Sequence, residues 1–184
     1  MRKMSVVKRI CICAVCIALC YILPMAFHAF GMGSVFLPMH IPVLLCGLLC
    51  GWPFGAVCGL VGPLLSSALS GMPPATALVS MLPELCVYGA VSGLTLRLVR
   101  TRRTFADLYI ALVTAMVAGR IVGGIAKALF FSAQGNRLSM AVWASGYFVE
   151  GLPGIIIQLL VIPVLVFALT KARLVPERYP RQQN

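Results

Sequence analysis

Residues 105–131, FADLYIALVTAMVAGRIVGGIAKALFF, form an apolar run with two cations well inside it, Arg120 and Lys127. About 17–25 apolar residues are enough for an α-helix to cross the roughly 30 Å hydrocarbon core of a bilayer. A charge inside that core is costly unless it is paired, hydrated or bound by a ligand. The run therefore predicts a membrane helix whose two cations have a structural or a binding role.

The rest of the chain has the same character. Of its 184 residues 61% are hydrophobic and 10% are charged, and the mean hydropathy of +1.01 indicates more apolar surface than one soluble core can bury. Outward from 105–131, charges and Gly/Pro turns delimit further apolar runs at 6–26, 35–51, 54–70, 76–96 and 143–170. We expect an all-α integral membrane protein, a bundle of about six transmembrane helices that forms a single domain over residues 1–184.

Two of these runs leave an alternative open. Pro38 and Pro42 shorten the helical part of 35–51, and the alternative is that they belong to a gating loop. The basic start and apolar stretch of 6–26 are also features of cleavable signal peptides. No persuasive small-residue cleavage site follows residues 22–25, which favours a retained first helix.

The positive charges predict the orientation, because Lys and Arg concentrate in cytoplasmic loops. Of the 15 Lys and Arg residues, 12 lie within 2–9, 97–103 and 171–181, and the other three are Arg120, Lys127 and Arg137. Both termini are therefore expected in the cytoplasm, with 171–184 as a basic cytoplasmic tail. The net charge of +11 is expected to report this topology and contact with anionic lipid, not nucleic acid.

Four charged residues lie beyond the terminal turns of the predicted helices, and the topology places all of them in the outer half: Glu84, Arg120, Lys127 and Glu150. One interpretation is two internal salt bridges, Glu84 with Arg120 and Glu150 with Lys127, that fix helix register. The other is a pocket open to the outside that binds a small polar ligand. The further substrate-binding candidates beside it are His40, Asn136, Trp143 and Tyr147.

Small residues recur four positions apart at 14–18, 47–51, 55–59, 89–93 and 119–123, a spacing that lets helix backbones approach closely. Most of these pairs are expected to form contacts within the chain, and Ala14 with Ala18 is the pair expected to dock another protein. All eight cysteines lie in apolar runs, so core packing is favoured over a metal or sensor thiol.

The sequence contains no phosphate-binding GxxxxGK[ST], no HExxH and no GxSxG, so we expect no enzyme, no catalytic residue, no metal and no cofactor. An intramembrane enzyme remains the alternative class. A stand-alone secondary transporter is a further alternative, although the inner halves of the helices are almost wholly apolar and no internal repeat is found.

Several short segments in order resemble one family: PMHIPV at 38–43, PLLS at 63–66, GMPP at 71–74, ELCVYG at 84–89 and AGRIV at 118–122. They resemble the substrate-binding S components of energy-coupling factor (ECF) vitamin transporters, which are ABC importers. The resemblance implies a multi-pass protein of the prokaryotic plasma membrane that captures a small water-soluble vitamin from outside. It also implies docking through Ala14 and Ala18 on a membrane coupling subunit with two cytoplasmic ATPases, so that only partner subunits use ATP.

An arginine inside the predicted pocket suggests that the ligand is negatively charged. The planar guanidinium of Arg120 suits a carboxylate or phosphate, which favours an anionic vitamin such as pantothenate or nicotinate. The alternative is that Glu84 and Glu150 compensate both cations internally.

Overall fold

A computed structural model of the protein describes residues 4–29, 38–133 and 152–175. Within these residues the secondary structure is entirely helical, which confirms the all-α class. The helices are α1 (Val6–Ala29), α2 (His40–Cys50), α3 (Trp52–Ser70), α4 (Ala75–Leu98), α5 (Thr104–Ala133) and α6 (Leu152–Lys171). All except α2 are long and apolar enough to cross a membrane.

Helix α2 is shorter than the predicted run 35–51. It begins at His40 and has 11 residues, about 16 Å at 1.5 Å per residue, which is too short for a full crossing. Pro38 precedes the helix, and Pro42 lies in its first turn, where the missing N–H removes no intrahelical bond. For the last predicted run, 143–170, residues 143–151 lie outside the described part of the chain, and α6 follows from Leu152.

Two glycines make the sharp connections on either side of α3. Gly51 has a φ of 95° between α2 and α3, and Gly71 ends α3 with a φ of 68° in the left-handed region. Glycine adopts these angles without the steric cost that a Cβ would bring. The direct α2–α3 turn brings the two helices back against each other and against α4.

Helix α4 occupies the centre of the described bundle. It packs against α2, α3 and α5, while α1 packs on α2 and α3, and α6 contacts α2 and α5. Any side chain on the buried faces of α4 therefore meets several other helices.

The glycine pairs predicted for close packing line the contact between α4 and its neighbours. A Cβ built on Gly55 would overlap the carbonyl oxygen of Gly89, and one built on Gly89 would overlap the carbonyl of Gly55. Gly59 faces the carbonyl of Leu85, and Gly47 also faces Gly89. These glycines thus form contacts within the chain, as predicted, because only hydrogen atoms fit between the backbones.

Six cysteines fill the junction of α1, α2 and α3, each at most 6% exposed: Cys13, Cys16, Cys20, Cys46, Cys50 and Cys58. The thiols of Cys13 and Cys46 both donate to the carbonyl oxygen of Phe54, at 3.6 and 3.5 Å. The described residues contain no group of three or more His, Cys, Asp or Glu side chains arranged to hold a metal ion. The thiols serve here as small, soft packing residues.

Candidate functional site

Three helices bring one charged cluster together inside the protein. Glu84 lies on α4, Arg120 on α5, and His40 is the first residue of α2. Glu84 Oε1 is 3.7 Å from Arg120 Nε and 3.8 Å from His40 Nε2, and none of the three side chains is more than 8% exposed. A charge buried this deeply needs a partner, and in this cluster the Glu84 carboxylate faces the Arg120 guanidinium.

Two glycines on α5 make this approach possible. Gly119 and Gly123 flank Arg120, and a Cβ on Gly123 would lie only 2.6 Å from Glu84 Oε2. A Cβ on Gly119 would lie 3.0 Å from two ring carbons of Tyr88. The small-residue pattern at 119–123 therefore lets α5 close onto Glu84 and Tyr88, which places the guanidinium of Arg120 beside the carboxylate.

Tyr88 is a member of the cluster that sequence reasoning missed. It lies one helical turn after Glu84, is fully buried, and interacts electrostatically with both Glu84 and Arg120. Its ring meets the ring of His40 edge-on, with centroids 5.2 Å apart and an interplanar angle of 70°. The signal was available in the sequence, because residues four apart share a helix face.

The geometry matches one half of the internal salt-bridge interpretation, since Glu84 does pair with Arg120. The pair is nevertheless long: charge-assisted N–H···O bonds are about 2.7–2.9 Å, whereas both nitrogens lie more than 3.5 Å from Oε1. Glu84 Oε1 and His40 Nδ1 are buried and have no hydrogen-bond partner among the described residues. The cluster is thus charge-balanced between Glu84 and Arg120 but deficient in hydrogen bonds.

Of the other predicted site residues, the structure describes only Lys127. Lys127 is half-buried and lies seven residues beyond Arg120 on α5, about 10.5 Å along the helix axis. The remaining four candidates lie outside the described residues: Asn136, Trp143, Tyr147 and Glu150. The structure therefore unites His40, Glu84 and Arg120 out of the eight predicted binding residues.

Gln158 on α6 is a second buried polar residue that sequence reasoning missed. It is 1% exposed, and its Nε2 atom has no hydrogen-bond partner within the described chain. It shares the buried face of α6 with Gly154 and Ile162, and α6 contacts α2 and α5. A lone amide in the otherwise apolar run 152–169 was the signal that could have identified it.

The predicted docking pair lies on the opposite side of α1 from its three buried thiols. Ala14 and Ala18 are both exposed, while Cys13, Cys16 and Cys20 face α2 and α3. Their neighbour Val15 is 59% exposed. In the described structure α1 therefore presents a face of small and apolar side chains outward from the bundle.

The comparison with known families gives one match over most of the chain. The model described as "ECF transporter, substrate-specific component" matches residues 8–166. No curated protein and no solved structure gave a significant match to the chain.

Proposed function

Because this chain belongs to the family of ECF transporter substrate-specific components, we propose that it captures a small water-soluble vitamin from outside the cell through the cluster of His40, Glu84 and Arg120. Membership in a family of transporter subunits argues against an enzyme. The apolar helices and the family together make it a multi-pass membrane protein, and we propose the prokaryotic plasma membrane as its location.

The observation that carries the proposal is the buried charged cluster itself. Charged groups inside membrane helices are rare, and they usually mark a ligand or ion path or pair with one another. Here Glu84 and Arg120 pair, yet buried polar atoms of Glu84 and His40 find no hydrogen-bond partner in the part of the chain that the structure describes. If the cluster served only to fix the register of the helices, its buried polar atoms would be expected to hydrogen-bond to one another. With the N-terminus in the cytoplasm, as the positive charges predict, His40 begins α2 near the outer surface.

The outward face of α1 supports the proposed docking on a membrane coupling subunit with two cytoplasmic ATPases. Ala14 and Ala18 leave the backbone of α1 accessible to a second helix, since neither is covered by the described bundle. In this arrangement ATP is used only by the partner subunits, and the chain itself needs no cofactor.

The anionic substrate predicted from Arg120, such as pantothenate or nicotinate, assumed that its guanidinium is available to the ligand. In the structure that guanidinium faces the Glu84 carboxylate. We therefore propose a water-soluble vitamin as the substrate class and do not assign it a negative charge.

The binding role is tested by thermal unfolding of the purified chain in detergent against a panel of water-soluble vitamins. A ligand at a hundredfold excess over its Kd stabilises the folded protein by about 2.7 kcal/mol. We expect one vitamin to stabilise the wild type and to have no effect on Arg120→Ala. Arg97→Ala is the matched control, because Arg97 is exposed near the end of α4. Equal stabilisation of Arg120→Ala would contradict the assignment of the cluster.

Docking is tested by co-purification. The double variant Ala14→Trp with Ala18→Trp should fail to retain the coupling subunit and ATPases while keeping its vitamin affinity, because the indole rings hold the partner helix away. Val113→Trp on the exposed face of α5 serves as control. Retention of the partners by the α1 variant would place the docking face elsewhere.

A further inference from the structure

Among the described residues, the buried Oε1 atom of Glu84 has no hydrogen-bond donor, although two nitrogen atoms face it. His40 Nε2 is 3.8 Å away and Arg120 Nε is 3.7 Å away, both beyond hydrogen-bond distance. A buried acceptor that lacks a donor is costly, and such atoms in folded proteins usually have a water molecule, an ion or a ligand to bind. Oε1 is therefore an acceptor available for a group that the described residues do not supply.

We propose that Glu84 accepts a hydrogen bond from the substrate, so that the substrate carries an N–H or O–H donor at the end that reaches the cluster. The ligand class is a donor-bearing small molecule, for example a carboxamide, an aminopyrimidine or a polyol, and not a molecule held at this point by its carboxylate. This inference rests on the proposed function, in which the cluster of His40, Glu84 and Arg120 binds the transported substrate.

Charge favours a donor over an anion at this position. The positive charge of Arg120 is already compensated by Glu84, so a ligand carboxylate would meet no uncompensated guanidinium and would lie beside a second carboxylate. Like charges repel strongly in a low-dielectric interior. A donor instead meets an acceptor that folding has already removed from water, so bond formation carries a smaller desolvation penalty.

The surrounding packing holds Glu84 in a defined orientation. Glu84 Oε2 lies against the backbone of α5, in the space that a side chain at position 123 would occupy. The other oxygen, Oε1, faces His40 and Arg120. Tyr88 packs edge-on against His40 and supports the imidazole from the side. A rigid acceptor of this kind discriminates well: sites built to bind a substrate O–H or N–H reject analogues that lack it by roughly 10⁴–10⁵-fold.

The test uses matched probes on the full chain purified in detergent. Nicotinamide and nicotinate share a ring and differ only in a carboxamide donor against a carboxylate, and thiamine, riboflavin and pantothenate extend the panel. For every probe that binds, the derivative with its donor methylated is measured as well. We expect a donor-bearing probe to bind and its methylated derivative to bind at least about a hundredfold more weakly.

Glu84→Gln gives the second measurement, because it keeps the size of the side chain and removes the negative charge that faces Arg120. The donor-bearing probe should bind at least about tenfold more weakly, and the preference between carboxamide and carboxylate should move toward the carboxylate. The double variant Glu84→Gln with Arg120→Met contains no uncompensated charge and should lose the dependence on the donor. Asp107→Asn removes a different buried carboxylate and should leave the preference unchanged.

The outcomes separate this inference from the proposed function. A probe that binds equally well with its donor methylated, or equally well to Glu84→Gln, overturns the inference and leaves the binding role intact. A well-folded wild type that binds no probe and carries no co-purified small molecule contradicts the proposed function, and the inference fails with it.

Discussion

Glu84 and Asp107 are two buried acids on neighbouring helices, and they differ in how their oxygen atoms are satisfied. Asp107, in the first turn of α5, accepts hydrogen bonds from the backbone N–H of Thr101 at 2.8 Å and from its hydroxyl at 2.6 Å. Glu84 Oε1, in the first half of α4, accepts none from the described residues. Equal burial thus accompanies opposite hydrogen-bond states.

The difference shows how a structural acid can be told from a binding acid. Asp107 holds the connection between α4 and α5, in which Arg102 adopts a φ of 64°, through the two bonds that its Oδ1 accepts from Thr101. Glu84 contacts two nitrogens at long range and retains acceptor capacity. If this distinction is correct, changes at Asp107 act on stability, whereas neutral replacement of the Glu84 pair acts on binding.

The largest expected effect comes from removing only one member of the Glu84 pair. Arg120→Ala leaves the buried carboxylate of Glu84 without its guanidinium, which typically costs about 3–5 kcal/mol. Thermal unfolding of the ligand-free chain in detergent measures this loss. A change below about 1 kcal/mol would indicate that Glu84 is protonated or hydrated in the folded protein and is not held by Arg120.

Asp107→Ala should have a smaller effect on stability and none on binding. It removes two hydrogen bonds to an ionised acceptor and leaves the Thr101 donors unpaired, at a cost of about 2–3 kcal/mol. The unfolding midpoint without ligand and the vitamin affinity of the folded fraction are measured together. Thr101→Val, which deletes only the hydroxyl donor, should cost about 1 kcal/mol. A lost affinity in either variant would remove the contrast between the two acids.

Simultaneous neutral replacement of the pair should change stability least. Replacing a buried ion pair by well-packed uncharged residues is often neutral or stabilising by about 1–4 kcal/mol. Glu84→Gln with Arg120→Met is therefore expected to unfold no earlier than the wild type and yet to bind the vitamin more weakly and without dependence on its donor. Strong destabilisation of this double variant would show that the pair serves mainly to hold α4 against α5.

The helical fold could be predicted in most of its parts because apolar length and helix-breaking residues are local properties. The run 105–131 and α5, Thr104–Ala133, differ by one or two residues at each end. The run 35–51 was less accurate, since hydrophobicity alone does not say where a segment containing Pro38 and Pro42 begins its helix; α2 starts at His40. The glycine spacing at 55–59 and 89–93 indicated close packing but not that these two pairs face each other.

The candidate site could be predicted as a set of residue types but not as a geometry. Glu84 and Arg120 were expected together because a charge in a membrane helix needs compensation. That His40 joins them depends on where the short helix α2 begins against α4, which no local pattern specifies. Tyr88 and Gln158 were missed for the same reason, since their polar groups matter only once their faces are known.

The sequence by itself determined that this chain is a bundle of apolar helices with a few buried charges, because bilayer thickness and the cost of uncompensated charge act on each segment separately. Only the tertiary structure decided which of those charges meet, since helix rotation and depth follow from packing between segments. The absence of a side chain at Gly119 and Gly123 lets α5 close onto Glu84. This contact, made by residues 35 or more positions apart, leaves one carboxylate oxygen buried with no donor among the described residues.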